Sequence, residues 1–163
     1  MKKIIVIGCP GSGKSYFSKK LKDILNYPIY HLDLIWNKPD KTTISREEFD
    51  DILNKIFLED AWIMDGNYQR TLEMRVKACD TVILLDYDLE VSLEGAISRI
   101  GKKRDDMPWQ EDELNEEFKN KILSFREEKL PEIYKILDEY KDEKEIIIFK
   151  NREESNNFLE SFK

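Results

Sequence analysis

The chain has 163 residues, enough for one substantial core and too few for two ordinary domains, so one domain over 1-163 is expected. Charged residues make up 37% and hydrophobic residues 40%, and no apolar stretch approaches the ~20 residues that cross a bilayer; with no secretory leader after Lys2-Lys3, no membrane association and a cytoplasmic location are expected. The formal net charge of −7 makes nucleic acid an unfavourable partner, because duplex binding relies on Lys and Arg to displace counterions.

The first predicted element is a strand over residues 3–7, and it feeds straight into Gly8-Cys9-Pro10-Gly11-Ser12-Gly13-Lys14-Ser15, the spacing of a phosphate-binding loop. A polyphosphate needs several donors converging on one anion, and Gly8, Gly11 and Gly13 leave room for backbone N–H groups to approach it. The helix expected after Gly13 turns its partly positive end toward the same anion, which makes Gly8, Gly11, Ser12, Gly13, Lys14, Ser15 and Tyr16 the candidate ATP-binding set. Lys14 would reach the β- and γ-phosphates, and the Ser15 hydroxyl would coordinate Mg²⁺.

Four further strands are predicted over residues 28–31, 61–64, 81–85 and 145–149. Strands alternating with helical patterns argue for an α/β fold in three layers, with a five-stranded, mainly parallel sheet and helices on both faces. Ser45-Arg46-Glu47-Glu48 reads as a capping box ahead of a helix with Phe49, Ile52, Leu53 and Ile56 at helical spacing. Residues 110–140 read as a long helix broken near Pro131, and residues 152–162 as a last helix with Phe158, Leu159 and Phe162 packed on the sheet. The stretch 101–110, with Gly, Pro and clustered charge, is expected to be a mobile lid.

Cys9 and Cys79 stand in no metal-binding or disulfide arrangement and are expected to be free thiols, Cys9 either as a small residue that fits the loop or as an oxidation-sensitive one. Asn37-Lys38-Pro39-Asp40 fits a guanine-binding signature, but it follows an early strand and no Asp-x-x-Gly switch exists, so it is taken as chance. Three strands end in a carboxylate: Asp33 after Tyr30-His31-Leu32, then Asp65, then Asp86. Ligands of such sheets bind at these carboxyl ends, and phosphoryl transfer needs one carboxylate near the metal and uses another at the acceptor hydroxyl. Arg99, Lys102, Lys103 and Arg104 form the one basic cluster, and His31, the only histidine, is read as a buried hydrogen-bonded residue or an acid–base group. Trp36, Tyr68 and Trp109 are read as packing aromatics or as platforms for a base or sugar.

The ordered set from Ala61 to Thr71, from Asp80 to Asp86 and from Ser98 to Arg104 resembles the adenylate kinases, and is nearer to the adenylate-kinase-like proteins often labelled DNA topology modulation (FlaR-related) proteins through Tyr30-His31-Leu32-Asp33 with Trp36, Asp65-Gly66-Asn67-Tyr68, and Phe125-Arg126 ahead of Pro131. The resemblance implies that Asp65 holds Mg²⁺ through water, that Arg99, Arg104 and Arg126 close on the transferring phosphoryl, and that Asp33 addresses the acceptor with Trp36, Gly66, Asn67, Tyr68, Arg70 and Arg75 around it. Asn67-Tyr68-Gln69 replaces the Phe-Pro of adenylate kinases, and His31 stands where shikimate and sugar kinases carry the first Asp of Asp-x-Asp. The implied activity is ATP- and Mg²⁺-dependent phosphoryl transfer to a small-molecule acceptor, a nucleoside, nucleotide or sugar-like alcohol, by a monomer or homodimer. A nucleotide-dependent DNA-binding regulator and an NTPase switch without acceptor remain the alternative readings.

Overall fold

The computed structural model describes residues 1–102, 106–109 and 116–163. In chain order the elements are β1 (Lys3–Gly8), α1 (Lys14–Leu25), β2 (Ile29–His31), α2 (Leu32–Trp36), α3 (Arg46–Phe57), β3 (Trp62–Asp65), α4 (Gln69–Ala78), β4 (Thr81–Leu85), α5 (Leu89–Ser98), α6 (Glu116–Ser124), a π-helical turn (Phe125–Lys129), α7 (Leu130–Tyr140), β5 (Glu145–Phe149) and α8 (Arg152–Glu160). The five strands form one sheet in the order β2-β3-β1-β4-β5, and every adjacent pair is parallel. The chain leaves β1 in one direction toward β2 and later returns to place β4 on its other side, so the strand order reverses at β1. A crevice opens at such a reversal.

Side-chain alternation divides the core between the two faces of the sheet. Ile5, Ile7, Trp62, Met64, Val82 and Leu84 pack with Phe49 and Leu53 of α3, Leu72 and Val76 of α4, and Ile133 and Leu137 of α7. Ile4, Val6, Ile63, Ile83 and Leu85 face the other way, onto Phe17 and Leu21 of α1 and Leu159 of α8. Burial on both faces is why β1 and β4 read as unbroken apolar runs in the sequence.

Ser45 caps α3, accepting from the Glu48 backbone N–H at 3.1 Å, as the capping box predicts. Three features differ from the sequence expectation. The short helix α2 follows β2 directly, ended by the Asn37 amide on the Asp33 carbonyl at 2.8 Å. The irregularity in the long helical region takes the form of a π-helical turn, which the sequence reading did not foresee and which ends two residues before Pro131. Phe162 lies past the end of α8, 41% exposed, and meets the edge of Phe158 instead of the sheet. Among the described residues, no helix is long and apolar enough to cross a membrane.

Candidate functional site

The loop after β1 turns on Gly11 and Gly13, whose φ angles of 85° and 95° belong to the left-handed region that favours glycine. Gly13 begins α1, and no side chain caps that end or places an acid in its first turn. By contrast, Ser45 caps α3 and Asn151 caps α8, each with two glutamates in the first turn. The first N–H groups of α1 are therefore left for an external anion. The loop is also held tightly from behind: a Cβ on Gly95 of α5 would fall on the Gly11 carbonyl oxygen, and one on Gly8 would lie 2.8 Å from the Leu85 carbonyl oxygen. Ser12 Oγ is buried in the loop without a hydrogen-bond partner.

Lys14 folds back over this loop, donating to the Gly8 and Cys9 carbonyls at 3.1 and 3.2 Å. Burial lowers its pKa, and the charges of Asp33 and Asp65 act in the opposite sense. Beside it, the Ser15 hydroxyl donates to Asp106 at 2.6 Å. Asp65 ends β3 in register with His31 of β2, and its carboxylate accepts from His31 Nδ1 at 2.7 Å. Burial pulls the His31 pKa down, but the hydrogen bond and charge of Asp65, with the charge of Asp106, outweigh it and leave the pKa raised. Asp33, in the first turn of α2, accepts from the Tyr68 hydroxyl at 2.6 Å. Burial, then the Asp33 charge, pushes the Tyr68 phenol up, so it remains a donor at neutral pH.

These groups line a cavity of about 490 Å³ that takes in Lys14, Ser15, Asp33, Trp36, Asp65, Gly66, Asn67, Tyr68, Arg99 and Asp106, with Ser124, Phe125 and Glu128 forming the opposite wall. A second cavity, of about 520 Å³, lies between the start of α1, the end of α5 and the start of α8, lined by Ser12, Tyr16, Lys19, Tyr87, Arg99 and Arg152. Gly11, Gly13, Ser15, Arg99 and Asp106 belong to both linings, so the two cavities meet over the loop.

Several sequence-predicted residues have other tasks. Arg75 is fully buried and donates to the carbonyls of Gly66, Asn67 and Tyr68 and to Thr71 Oγ1, so it shapes the loop after β3 and has no surface to offer an acceptor phosphate. The Asn67 amide grips both backbone groups of Gly8, donating to its carbonyl at 2.6 Å and accepting from its N–H at 3.1 Å. That fixes the loop after β3 to the end of β1. Arg70 points outward and pairs with Asp50 at 2.8 Å. Arg126 binds Asp86 at 3.1 Å and the Tyr87 carbonyl, outside the linings of both cavities. Asp86 is held by Lys150 and Tyr134 as well, so it does not join Asp33 and Asp65 in the cavity. Trp36 and Tyr68 meet Phe49 in an aromatic cluster that forms the cavity's side wall, whereas Trp109 lies under Lys41, 5.8 Å from its ring centre. Tyr16, 62% exposed, stands at the rim of the second cavity. Arg104 and Lys103 lie outside the described residues. Cys9 and Cys79 are free and buried, and burial pushes the Cys9 thiol up and that of Cys79 to about 12, which removes thiolate reactivity.

Asp106 and Gly95 are the site residues that sequence reading missed. The only signal for Asp106 was a carboxylate beside the basic cluster, and for Gly95 a glycine inside a helical pattern. The oxygen donors Ser15, Asp33, Asp65 and Asp106 suit a hard cation such as Mg²⁺. Among the described residues, no group of three or more His, Cys, Asp or Glu side chains is placed to hold a metal ion.

No protein-family model and no curated protein matches the sequence. Solved structures do. A gluconokinase from Sinorhizobium meliloti 1021 aligns over 99% of this chain and 89% of its own at 12% identity, with a TM-score of 0.59. A shikimate kinase from Acinetobacter baumannii, solved with shikimate, aligns over 99% and 90% at 14% identity and a TM-score of 0.61. The shikimate kinase of Aquifex aeolicus aligns over 97% and 91% at 18% identity and a TM-score of 0.53. With its five-stranded parallel sheet flanked by helices and its phosphate loop at the strand-order reversal, the chain has the fold of these P-loop kinases.

Proposed function

We propose that the protein is a kinase that moves the γ-phosphoryl group of ATP, bound with Mg²⁺, to a hydroxyl of a small acceptor of the nucleoside, nucleotide or sugar-like alcohol class. The observation that supports this most is the pair of cavities meeting at Ser15, Arg99 and the glycine loop. An NTPase switch needs one ligand site, whereas transfer needs two sites that open onto a common phosphoryl position. The nucleoside occupies the cavity by α8, its phosphates lie along the loop, and the acceptor occupies the cavity of Asp33, Trp36 and Tyr68.

In this reading the Gly11–Ser15 backbone and the open end of α1 bind the phosphates, and Lys14 leaves the Gly8 and Cys9 carbonyls to contact the β- and γ-phosphates. Ser15 and Asp65 would hold Mg²⁺, which would supply neutralisation of the phosphate charge. Asp33, oriented by the Tyr68 hydroxyl, accepts the proton of the acceptor hydroxyl. Arg99 offsets charge on the transferring oxygens, a role that the family resemblance also gives to Arg104. Asn67 and Arg75 act indirectly, by fixing the loop after β3 to Gly8. The motif order from Tyr30 to Pro131 supports placing the chain with the DNA topology modulation group of adenylate-kinase-like proteins, as a matter of kinship rather than of DNA binding.

The deciding experiment is an ADP-release screen with ATP and Mg²⁺ over nucleosides, nucleoside monophosphates, sugars and small hydroxy acids. Release stimulated by an acceptor, with a phosphorylated product detected by mass, supports transfer. Acceptor-independent release of phosphate alone rejects it in favour of a switch.

A further inference from the structure

We propose that the acceptor is an uncharged, polyhydroxylated ring, either a neutral sugar or the ribose of a nucleoside, and that acceptors bearing a phosphate or carboxylate are discriminated against; this rests on the transfer reading above and narrows it. The arginines that the sequence offered for an acceptor anion are committed elsewhere. Arg75 is fully buried, its guanidinium donating to the carbonyls of Gly66, Asn67 and Tyr68 and to Thr71 Oγ1. Releasing it would strand three inward carbonyls, a cost that a ligand would have to offset. Arg70 makes two parallel bonds to Asp50, at 2.8 and 3.1 Å, which occupy the fork that a phosphate or carboxylate would need. Both arginines lie outside the lining of the cavity that contains Asp33.

The groups that do line this cavity suit a neutral ring. Away from the phosphate loop, its charged residues are Asp33, Glu128, Lys121 and Lys129, two of each sign, and Lys121 stands 4.0 Å from Glu117. An anion therefore meets no net positive charge from the described residues there, and meets the Asp33 carboxylate at close range. Trp36 and Tyr68 have ring centres 6.1 Å apart at an angle of 62°, an aromatic corner against which the C–H face of a sugar ring packs. The Tyr68 hydroxyl occupies Asp33 Oδ1 at 2.6 Å, so Oδ2 takes the reacting hydroxyl, and Glu128 on the opposite wall accepts from a second one.

The test is a set of matched pairs assayed for ATP- and Mg²⁺-dependent phosphorylation: adenosine, guanosine, cytidine and uridine against their monophosphates, ribose against ribose phosphate, and glucose against gluconate. The neutral member of the reactive pair is expected to show a kcat/KM at least about tenfold higher, because the charged member brings a group that the cavity does not match. Reaction confined to the sugars or to the nucleosides supports the inference and identifies the source of the ring. Two variants, each confirmed as folded by a thermal melt, add a second reading. Trp36→Leu is expected to raise the acceptor KM by up to about tenfold with the KM for ATP unchanged, and Arg70→Ala to leave both within about twofold. A charged member that outruns its neutral partner, an acceptor KM that climbs in Arg70→Ala, or one that stays unchanged in Trp36→Leu overturns the inference and leaves the kinase standing. Release of phosphate alone across every pair overturns the transfer reading and this inference together.

Discussion

Asp65 at the end of β3 and Asp86 just past β4 flank the same strand, β1, and are almost equally buried, at 4% and 5% exposed. Their surroundings are opposite. Asp86 is bound by Arg126 at 3.1 Å, Lys150 at 2.5 Å and Tyr134 at 2.6 Å, so its charge is satisfied within the fold. Asp65 has one imidazole partner and otherwise faces the cavity that contains Lys14, Ser15 and Asp33. A buried carboxylate needs compensation, and where the chain supplies only part of it, a ligand or cation supplies the rest. The same edge of one sheet thus has a structural half and a half left for chemistry.

The strongest way to break this contrast is Lys14→Ala, on the chemical half. Turnover is expected to fall on the order of a hundredfold or more, as for loss of a preorganised charge-stabilising donor, with the melting temperature little changed. Coupled detection of ADP measures it, and near-normal transfer would defeat the assignment of the loop. Asp33→Asn keeps an acceptor for Tyr68 but no base; turnover is expected to fall by about tenfold to a hundredfold, less than for Lys14→Ala, with KM for ATP unchanged. An equal loss in ATP affinity would instead put Asp33 on the nucleotide side.

On the structural half the readout should invert. Asp86→Asn is expected to cost about 1–2 kcal/mol of stability in urea melts, less than the roughly 3–5 kcal/mol of a fully enclosed pair, because Arg126 and Lys150 are 42% and 60% exposed. Turnover should stay within about threefold of the wild type, and a larger drop would return Arg126 to the transfer site. The smallest effect is a pH dependence. Burial alone would raise the Asp86 pKa, but hydrogen bonds from Lys150 and Tyr134 and the charges of Lys150 and Arg126 hold it below the usual carboxylate value. A depressed pKa stabilises the fold above the unfolded value of about 4 and loses that contribution as pH falls through the folded value. The gap between wild type and Asp86→Asn should therefore be full at pH ~6 and shrink toward pH ~3; a gap independent of pH would mean that packing, not charge, holds Asp86.

The parallel sheet was legible because strands covered on both faces have no polar alternation, and β1 and β4 are buried along nearly their whole length. The phosphate loop was legible because its chemistry is local, and so was the Ser45 cap, whose partner is three residues away. What remained hidden depends on contacts between distant residues. Asn67 meets Gly8 across 59 positions and Ser15 meets Asp106 across 91, so no window of sequence contains either pair. Arg75 was misplaced because a charged side chain in an amphipathic helix is ordinarily solvated, and only the three carbonyls turned inward after β3 make its full burial tolerable. The π-helical turn left no mark because it needs no special residue, while Pro131 nearby offered a more obvious reason for the break.

The contact between Gly11 and Gly95 bears on how Arg99 works. With no atom able to fit between those two backbones, α5 and the glycine loop shift as one piece, and Arg99 follows directly from the end of that helix. In the proposed transfer, a cation mounted on such a strut would start near the incoming phosphates and would answer their charge without first being recruited from solvent.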